Sequence, residues 1–312
     1  MKISVVIPSK NGLHHLKDCL PTVIEAAKNS KDQIKIIVVD DYSDDNTYTE
    51  LPKLFPNVKC LRTTEDDHGL CSARNLGTLS ESCDWVCNID NDVYLEPDFF
   101  NTLKKYMRNE IFAITCCGYT AFPRVPKAYE QLDGIKLLQW KRGNLRFTKN
   151  IKNDKLDLSK EYESFGAQGA YLILNRKWFD TLGGFDTLLN PYMLDESDIV
   201  YRGLKRGGKI LYASDTKPRH KCGGTIQSKT SSKTKYLSNR NRILFTWKNI
   251  HDNKLLLSNI FWTLLNPTLY KPLFECIKML PTILKARYLE RKSIVVNDIE
   301  LLKKSKNLEK NL

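Results

Sequence analysis

The segment Trp85-Val86-Cys87-Asn88-Ile89-Asp90-Asn91-Asp92 constrains the fold of this 312-residue chain more than any other stretch. Its first five residues have the composition of a buried strand, and they run directly into two aspartates one residue apart. Open α/β sheets bind their ligands in the crevice beyond the carboxyl ends of the strands. Two carboxylates delivered there together invite a divalent cation and the phosphate it carries. An Asp-x-Asp triplet also suits an ordinary acidic turn, so the rest of the chain has to decide between the two.

The chain opens on another apolar strand, Ile3-Ser4-Val5-Val6-Ile7, which runs into the turn-rich Pro8-Ser9-Lys10-Asn11-Gly12. A third strand, Ile34 to Val39, ends in Asp40-Asp41-Tyr42-Ser43-Asp44-Asp45. Between these two, Leu16, Leu20, Val23, Ile24 and Ala27 recur at helical spacing. The unit is therefore strand–helix–strand with parallel pairing. His68-Gly69-Leu70-Cys71-Ser72-Ala73-Arg74-Asn75 then predicts a glycine-opened helix bearing one arginine. Carboxylates thus terminate two strands on one edge of a single sheet.

In this order the motifs resemble family 2 glycosyltransferases of the GT-A fold. They are Val-Val-Ile-Pro-Ser-Lys-Asn, Val-Val-Asp-Asp-Tyr-Ser-Asp-Asp, Gly-Leu-Cys-Ser-Ala-Arg-Asn-Leu-Gly and Ile-Asp-Asn-Asp. The second half continues the likeness with Gly183-Gly184-Phe185-Asp186, Asp195-Glu196-Ser197-Asp198, Gly207-Gly208 and His220. The resemblance covers roughly residues 1–250 and points to the non-processive, rhamnosyltransferase-like branch. The Gln-x-x-Arg-Trp signature of processive synthases is missing, as is the glycine-rich, arginine-containing N-terminal loop of nucleotidyltransferases. It implies a mixed, mainly parallel sheet flanked by helices, with a catalytic domain over residues 1–225 and a C-terminal helical region over 226–312.

It further implies metal-dependent, inverting transfer of one sugar from a nucleotide-diphosphate donor to a saccharide or polyprenol-linked acceptor. Asp92 matches the family's direct ligand for Mn²⁺ or Mg²⁺. Asp90 is expected at the metal or the ribose, with Asn91 between them. His220 completes the metal shell or contacts the diphosphate, unless it is a plain loop histidine. Pro8, Ser9, Asn11, Asp40 and Asp41 would line the nucleoside pocket, with Asp40 ahead of Asp41 as acceptor for the imide N–H of uracil or thymine. Asp44 and Asp45 are expected as helix caps. Arg74 would orient the diphosphate or the aspartates, the plain alternative being a surface pair with Glu65 or Asp66.

On the acceptor side the family usually has Glu-Asp-x-Asp, with the second residue as base. Here Glu196 holds that position and the two acids are swapped, which changes the reach by about 1.5 Å. Glu196 is taken as the base with Asp195 as the other candidate, and Asp198 is expected to bind acceptor hydroxyls or steady the first turn. The reversed pair also keeps open a non-catalytic sugar-nucleotide or glycan-binding relative. Arg240 and Arg242 either close over phosphates or belong to an amphipathic helix. Donor specificity is expected within residues 118–170, at Tyr119, Phe122, Trp140, Arg142 and Phe165.

The formal net charge is +13, but the basic residues are scattered and do not interleave with aromatics, which argues against nucleic acid. The apolar stretch Leu255–Leu284 is broken by Pro267, Pro272 and Pro281 and never reaches the roughly 20 apolar residues a spanning helix needs. Short helices lying in a membrane interface are expected there, the alternative being a helical lid packed on the catalytic domain. The nine cysteines form no regular framework and read as reduced thiols. With no signal peptide evident at the start, this predicts a cytoplasmic protein, peripheral at the inner face of the membrane.

Overall fold

The computed structural model describes residues 1–122, 129–151, 156–157, 160–221 and 231–312. Strand and helix alternate at first: β1 (Lys2–Ser9), α1 (Leu13–Asn29), β2 (Gln33–Asp40), α2 (Thr47–Leu54), β3 (Lys59–Arg62), α3 (Leu70–Leu79) and β4 (Trp85–Ile89). Next come β5 (Val93–Tyr94), α4 (Phe99–Leu103), β6 (Ile111–Cys116), β7 (Tyr119–Phe122) and β8 (Tyr129–Leu132). A hairpin of β9 (Ile135–Lys141) and β10 (Asn144–Ile151) precedes β11 (Tyr162–Ser164), β12 (Tyr171–Asn175) and α5 (Arg176–Leu182). Then follow α6 (Asp195–Lys205), β13 (Lys209–Ala213) and β14 (Arg219–Lys221). Beyond residue 230 the described residues form five α-helices: α7 (Ser232–Asn249), α8 (Asn253–Leu264), α9 (Tyr270–Lys278), α10 (Leu280–Arg291) and α11 (Asp298–Asn311).

The central sheet has the order β11-β13-β6-β12-β4-β1-β2-β3. Strands β3, β2, β1 and β4 pair in parallel, while β12 runs antiparallel between β4 and β6. Parallel strands need crossover helices, and those helices cover both faces. Ile3, Val5 and Ile7 of β1 accordingly pack with Leu16, Leu20 and Val23 of α1, while Val6 packs on the other face with Ala73 of α3. Gly77 lets α3 lie directly on the sheet. A Cβ there would stand 2.5 Å from Val6 Cγ1 and 2.9 Å from Val39 Cγ2. Arg74, one turn earlier on α3, is thereby carried under the carboxyl edge.

That edge collects Ser9, Asp40 and the turn after Ile89, as the strand reading requires. The expected boundary at 225 falls outside the described residues. The helices beyond it share a hydrophobic cluster with the sheet, since Ile243, Leu244, Cys276 and Ile283 pack in one core with Leu172 and Ile199. Helix α8 is built inside out. Its polar Asn259 and Thr263 are buried, while Leu257 and Phe261 are 65% and 57% exposed. The C-terminal helices therefore pack against the sheet and α6 and also keep an apolar face outward. Among the described residues no helix is long and apolar enough to cross a membrane.

Candidate active site

Strand β4 stops at Ile89, and the chain reverses through Asp90-Asn91-Asp92, with the Val93 N–H donating to the Asp90 carbonyl at 3.2 Å. Short β5 then pairs antiparallel with β14, setting His220 opposite Val93. His220 Nε2 lies 3.2 Å from Asp92 Oδ1, and one donor atom from each of Asp90, Asp92 and His220 falls within 4.8 Å of the others. Two carboxylates and an imidazole on one side of an open crevice suit a divalent ion such as Mn²⁺. The three residues expected at the metal are thus brought together. Cys87, a possible ligand by residue type, is buried inside β4 and has no part in this cluster. His15 of α1 was not anticipated here. Burial and His14 push its pKa down while Asp92 pulls the other way, so its ring senses the cluster.

Arg74 is 1% exposed, which excludes the surface pairing with Glu65 or Asp66. Its guanidinium contacts the carboxylate of Asp195, lies 3.0 Å from Asp90 Oδ1 and donates to the Gly169 carbonyl at 2.9 Å. One buried cation therefore ties the carboxylate turn after β4 to the first residue of α6. Burial pushes the Asp195 carboxyl up to about 7, with Glu196 and Asp90 adding to the rise and Arg74 opposing it. Glu196 is the more open of the two acids. Its side chain lies over Gly169, where a Cβ would stand 3.3 Å from Glu196 Cγ, and it accepts a hydrogen bond from Ser197.

The approach to α6 is strained: Met193 and Leu194 have φ of 86° and 65°. Asn241, fully buried in α7, holds this loop by donating to the carbonyls of Leu189, Tyr192 and Met193 at 2.8, 3.0 and 2.9 Å. Arg240 donates to the Asn190 carbonyl, so it fixes the same loop and does not close over phosphates. The middle residue of Arg240-Asn241-Arg242 carries the positioning, and sequence reasoning passed over it because its three acceptors are backbone atoms some fifty positions away.

The nucleoside side is built from two loops stitched together. Asn11, with φ of 52°, donates from its backbone to Ser43 Oγ at 2.9 Å and accepts from the Asp44 N–H at 2.8 Å. Lys10 Nζ donates to the carbonyls of Asp41 and Tyr42, each at 3.0 Å. Ser9 Oγ accepts from Asn91 Nδ2 at 2.9 Å, which joins this pocket to the carboxylate turn, and Pro8 is buried beneath it.

Some expectations change. Asp40 is sealed, 3.2 Å from Arg62, and burial pushes its carboxyl above the usual range. Asp41, slightly open, accepts from the Gly69 N–H at 2.6 Å through Oδ1, leaving Oδ2 without a hydrogen bond among the described residues. The preference between the two aspartates therefore reverses. Asp45 accepts from the Thr47 N–H at 3.0 Å, but Asp44 caps nothing.

Asp198 takes the structural one of its two expected roles. It is fully buried, 2.7 Å from Arg202 and 2.6 Å from Lys248, and it accepts from Asn249 at 2.7 Å. No acceptor hydroxyl can reach it. Of the residues expected to set specificity, Tyr119 lies on the strand beside β14, whereas Phe165 is core and Trp140 points to Ser258 at 3.5 Å. The side chain of Phe122 lies outside the described residues.

The sheet, with the carboxylate turn at its carboxyl edge, has the GT-A fold. The sequence model described as "Glycosyl transferase family 2" matches residues 4–183, and the chain belongs to that family. Over 216 residues it is 26% identical to polypeptide N-acetylgalactosaminyltransferase 10 of Mus musculus, a match covering 66% of this chain and 35% of that protein. Over 107 residues it is 35% identical to glycosyltransferase GlyA of Streptococcus pneumoniae, covering 33% and 15%. In structure it resembles GalNAc-T7 with UDP, GalNAc and Mn²⁺ (TM-score 0.64, 17% identity, 81% of this chain and 48% of that one). It also resembles the Pyrobaculum calidifontis mannosyltransferase PcManGT with GDP-Man and Mn²⁺ (TM-score 0.54, 14% identity, 99% and 86%). The matched region spans about a third of the length of the mouse relative.

Proposed function

We propose that the chain transfers a single sugar, with inversion, from a nucleoside-diphosphate sugar to a saccharide or polyprenol-linked acceptor. The observation that carries this reading is the joining, by buried Arg74, of the Asp90–Asp92–His220 cluster to the acids that open α6. A diphosphate site and a base joined on one framework are what such a transfer needs, and this link supports the reading.

In the proposed reaction Glu196 takes the proton of an acceptor hydroxyl while that oxygen attacks the anomeric carbon. The bond from that carbon to the diphosphate breaks, and the nucleoside diphosphate leaves with the electron pair. One base with no second carboxylate placed as nucleophile among the described residues supports inversion. Asp195, engaged by Arg74, positions the base without serving as one. Asp90, Asp92 and His220 would hold Mn²⁺ or Mg²⁺, and the bound ion would neutralise charge on the departing diphosphate. Asp41 would read the imide of uracil or thymine, with Pro8, Ser9 and Asn11 forming the wall. The outward apolar stripe of α8 and the basic net charge support peripheral work at the cytoplasmic face of a membrane.

The test is thermal unfolding with UDP, dTDP, GDP or CDP, each with and without Mn²⁺. Stabilisation by one diphosphate only in the presence of metal is expected, since a ligand that binds only the folded state raises its stability. Asp92→Ala should abolish both the metal-dependent shift and turnover. No shift with any diphosphate would leave the non-catalytic reading in its place.

A further inference from the structure

A recess of about 320 Å³ opens between the β9–β10 hairpin, α7 and α8, and none of its lining residues belongs to the crevice described above. Arg142, Arg146 and Arg242 line it together with Asn239, Trp262 and Leu265, and no Asp or Glu is among its described walls. All three arginines are exposed. Among the described residues no ion pair engages any of them, although basic groups elsewhere on the molecule are commonly paired. Partial desolvation within the recess and the charge of Arg146 both lower the pKa of Arg242, the mark of cations facing each other without an anion.

The recess is built rather than incidental. Arg142 and Gly143 form the hairpin turn with φ of 48° and 72°, the two-residue geometry that suits twisted strands. The Gly143 carbonyl accepts from Asn259 Nδ2 at 2.7 Å, and a Cβ on Gly143 would stand 2.8 Å from the Ser258 carbonyl. The polar side of α8 is therefore spent on clamping the arginine-bearing turn. Its apolar side, with Leu257, Phe261, Leu264 and Leu265 at the i, i+4, i+7 and i+8 positions, is more than half exposed at every one of them. Trp262 at the lip is 42% exposed, and tryptophan is a residue that favours a membrane–water boundary.

We infer that this three-arginine recess binds the phosphate of an anionic lipid while the outer stripe of α8 enters the membrane interface beside it. The inference rests on the peripheral-membrane reading and adds to it a specific headgroup site. Arginine forks match phosphate oxygens, and the apolar stripe running from the same recess fits acyl chains and not a soluble phosphate.

Sedimentation of the full chain with vesicles tests it. One set of vesicles is phosphatidylcholine alone, and the other mixes one part phosphatidylglycerol with two parts phosphatidylcholine. Binding to the mixed vesicles is expected, and R142Q/R146Q/R242Q should weaken it by about 100-fold. The control K28Q/K31Q/K53Q removes the same charge from exposed sites elsewhere and should weaken it far less. L257S/F261S should lose binding as well. Equal losses in the two triple variants would overturn the headgroup site while leaving membrane attachment standing. No binding by the unaltered chain would overturn both. A thermal shift from inorganic phosphate, lost in the arginine variant and unaccompanied by vesicle binding, would assign the recess to a soluble ligand and sink the lipid. A dimer in sedimentation equilibrium that L257S/F261S dissociates would show a second copy covering the stripe, which would sink the lipid equally.

Discussion

Replacing Glu196 with Gln is expected to lower kcat by roughly 10² to 10⁴, the range a positioned general base contributes. Metal-dependent stabilisation by the nucleoside diphosphate should survive almost unchanged. The amide keeps the shape of the side chain over Gly169 and keeps an oxygen for Ser197, so only the basic electron pair is lost. Steady-state turnover and a nucleotide thermal shift, measured on the same preparation, separate the two effects. Turnover retained at the unaltered level would move the base to Asp195, whose carboxyl burial pushes up to about 7. The structure argues for Glu196. A base needs a free oxygen at the crevice, and Asp195 is 4% exposed and pinned by Arg74.

Asp198→Asn should cost about 3 kcal/mol of folding stability, measurable as a lower urea midpoint at neutral pH. Asn keeps one acceptor oxygen but removes the anion, which leaves Arg202 with neutral carbonyls such as those of Leu182 and Gly184, and Lys248 with Asp186 as its one ion pair among the described residues. The loss should depend on pH in a defined direction. Lys248 first and Arg202 second hold the Asp198 carboxyl down at about 2 against the cost of burial. Its ordinary value is about 3.9. A group with a depressed folded pKa contributes stability that is complete above its unfolded pKa and disappears as pH falls through the folded one. The gap between the unaltered chain and Asp198→Asn should therefore be full above about pH 5 and narrow between about pH 4 and pH 2. A gap that widens on acidification would contradict the ion-pair account. Asp195 acts in the opposite sense, since its raised pKa imposes a penalty that grows as pH rises from about 4 to about 7.

The pattern of the chain was enough to place the parallel half of the sheet. Apolar runs of strand length, each ending in carboxylates and separated by helical spacing, admit few arrangements, and β1, β2 and β4 deliver Ser9, Asp40 and the carboxylate turn to one edge as expected. Local sequence also marked Asp90 and Asp92, because the turn that presents them follows at once from where the strand stops. It could not tell which carboxylates would be covered. Asp40 and Asp41 are neighbours of one type, yet only packing against Arg62 and the Gly69 backbone seals the first and leaves the second 7% exposed. Asp198 reads as an acceptor ligand in a row of acids until Lys248, fifty residues later, is folded onto it.

Helix α8 makes the same point from the other side. Its composition announced an apolar segment, but composition carries no information on which face meets the core. Gly143 and Trp247 decide that by hydrogen bonding to Asn259, which turns the polar side inward and the leucines out. What the sequence by itself determined was the set of elements and the carboxylate edge, since those follow from neighbours within a few residues. Tertiary structure alone decided burial, because a buried charge or amide is stable only where distant partners satisfy it, and those partners come together only when the chain has folded.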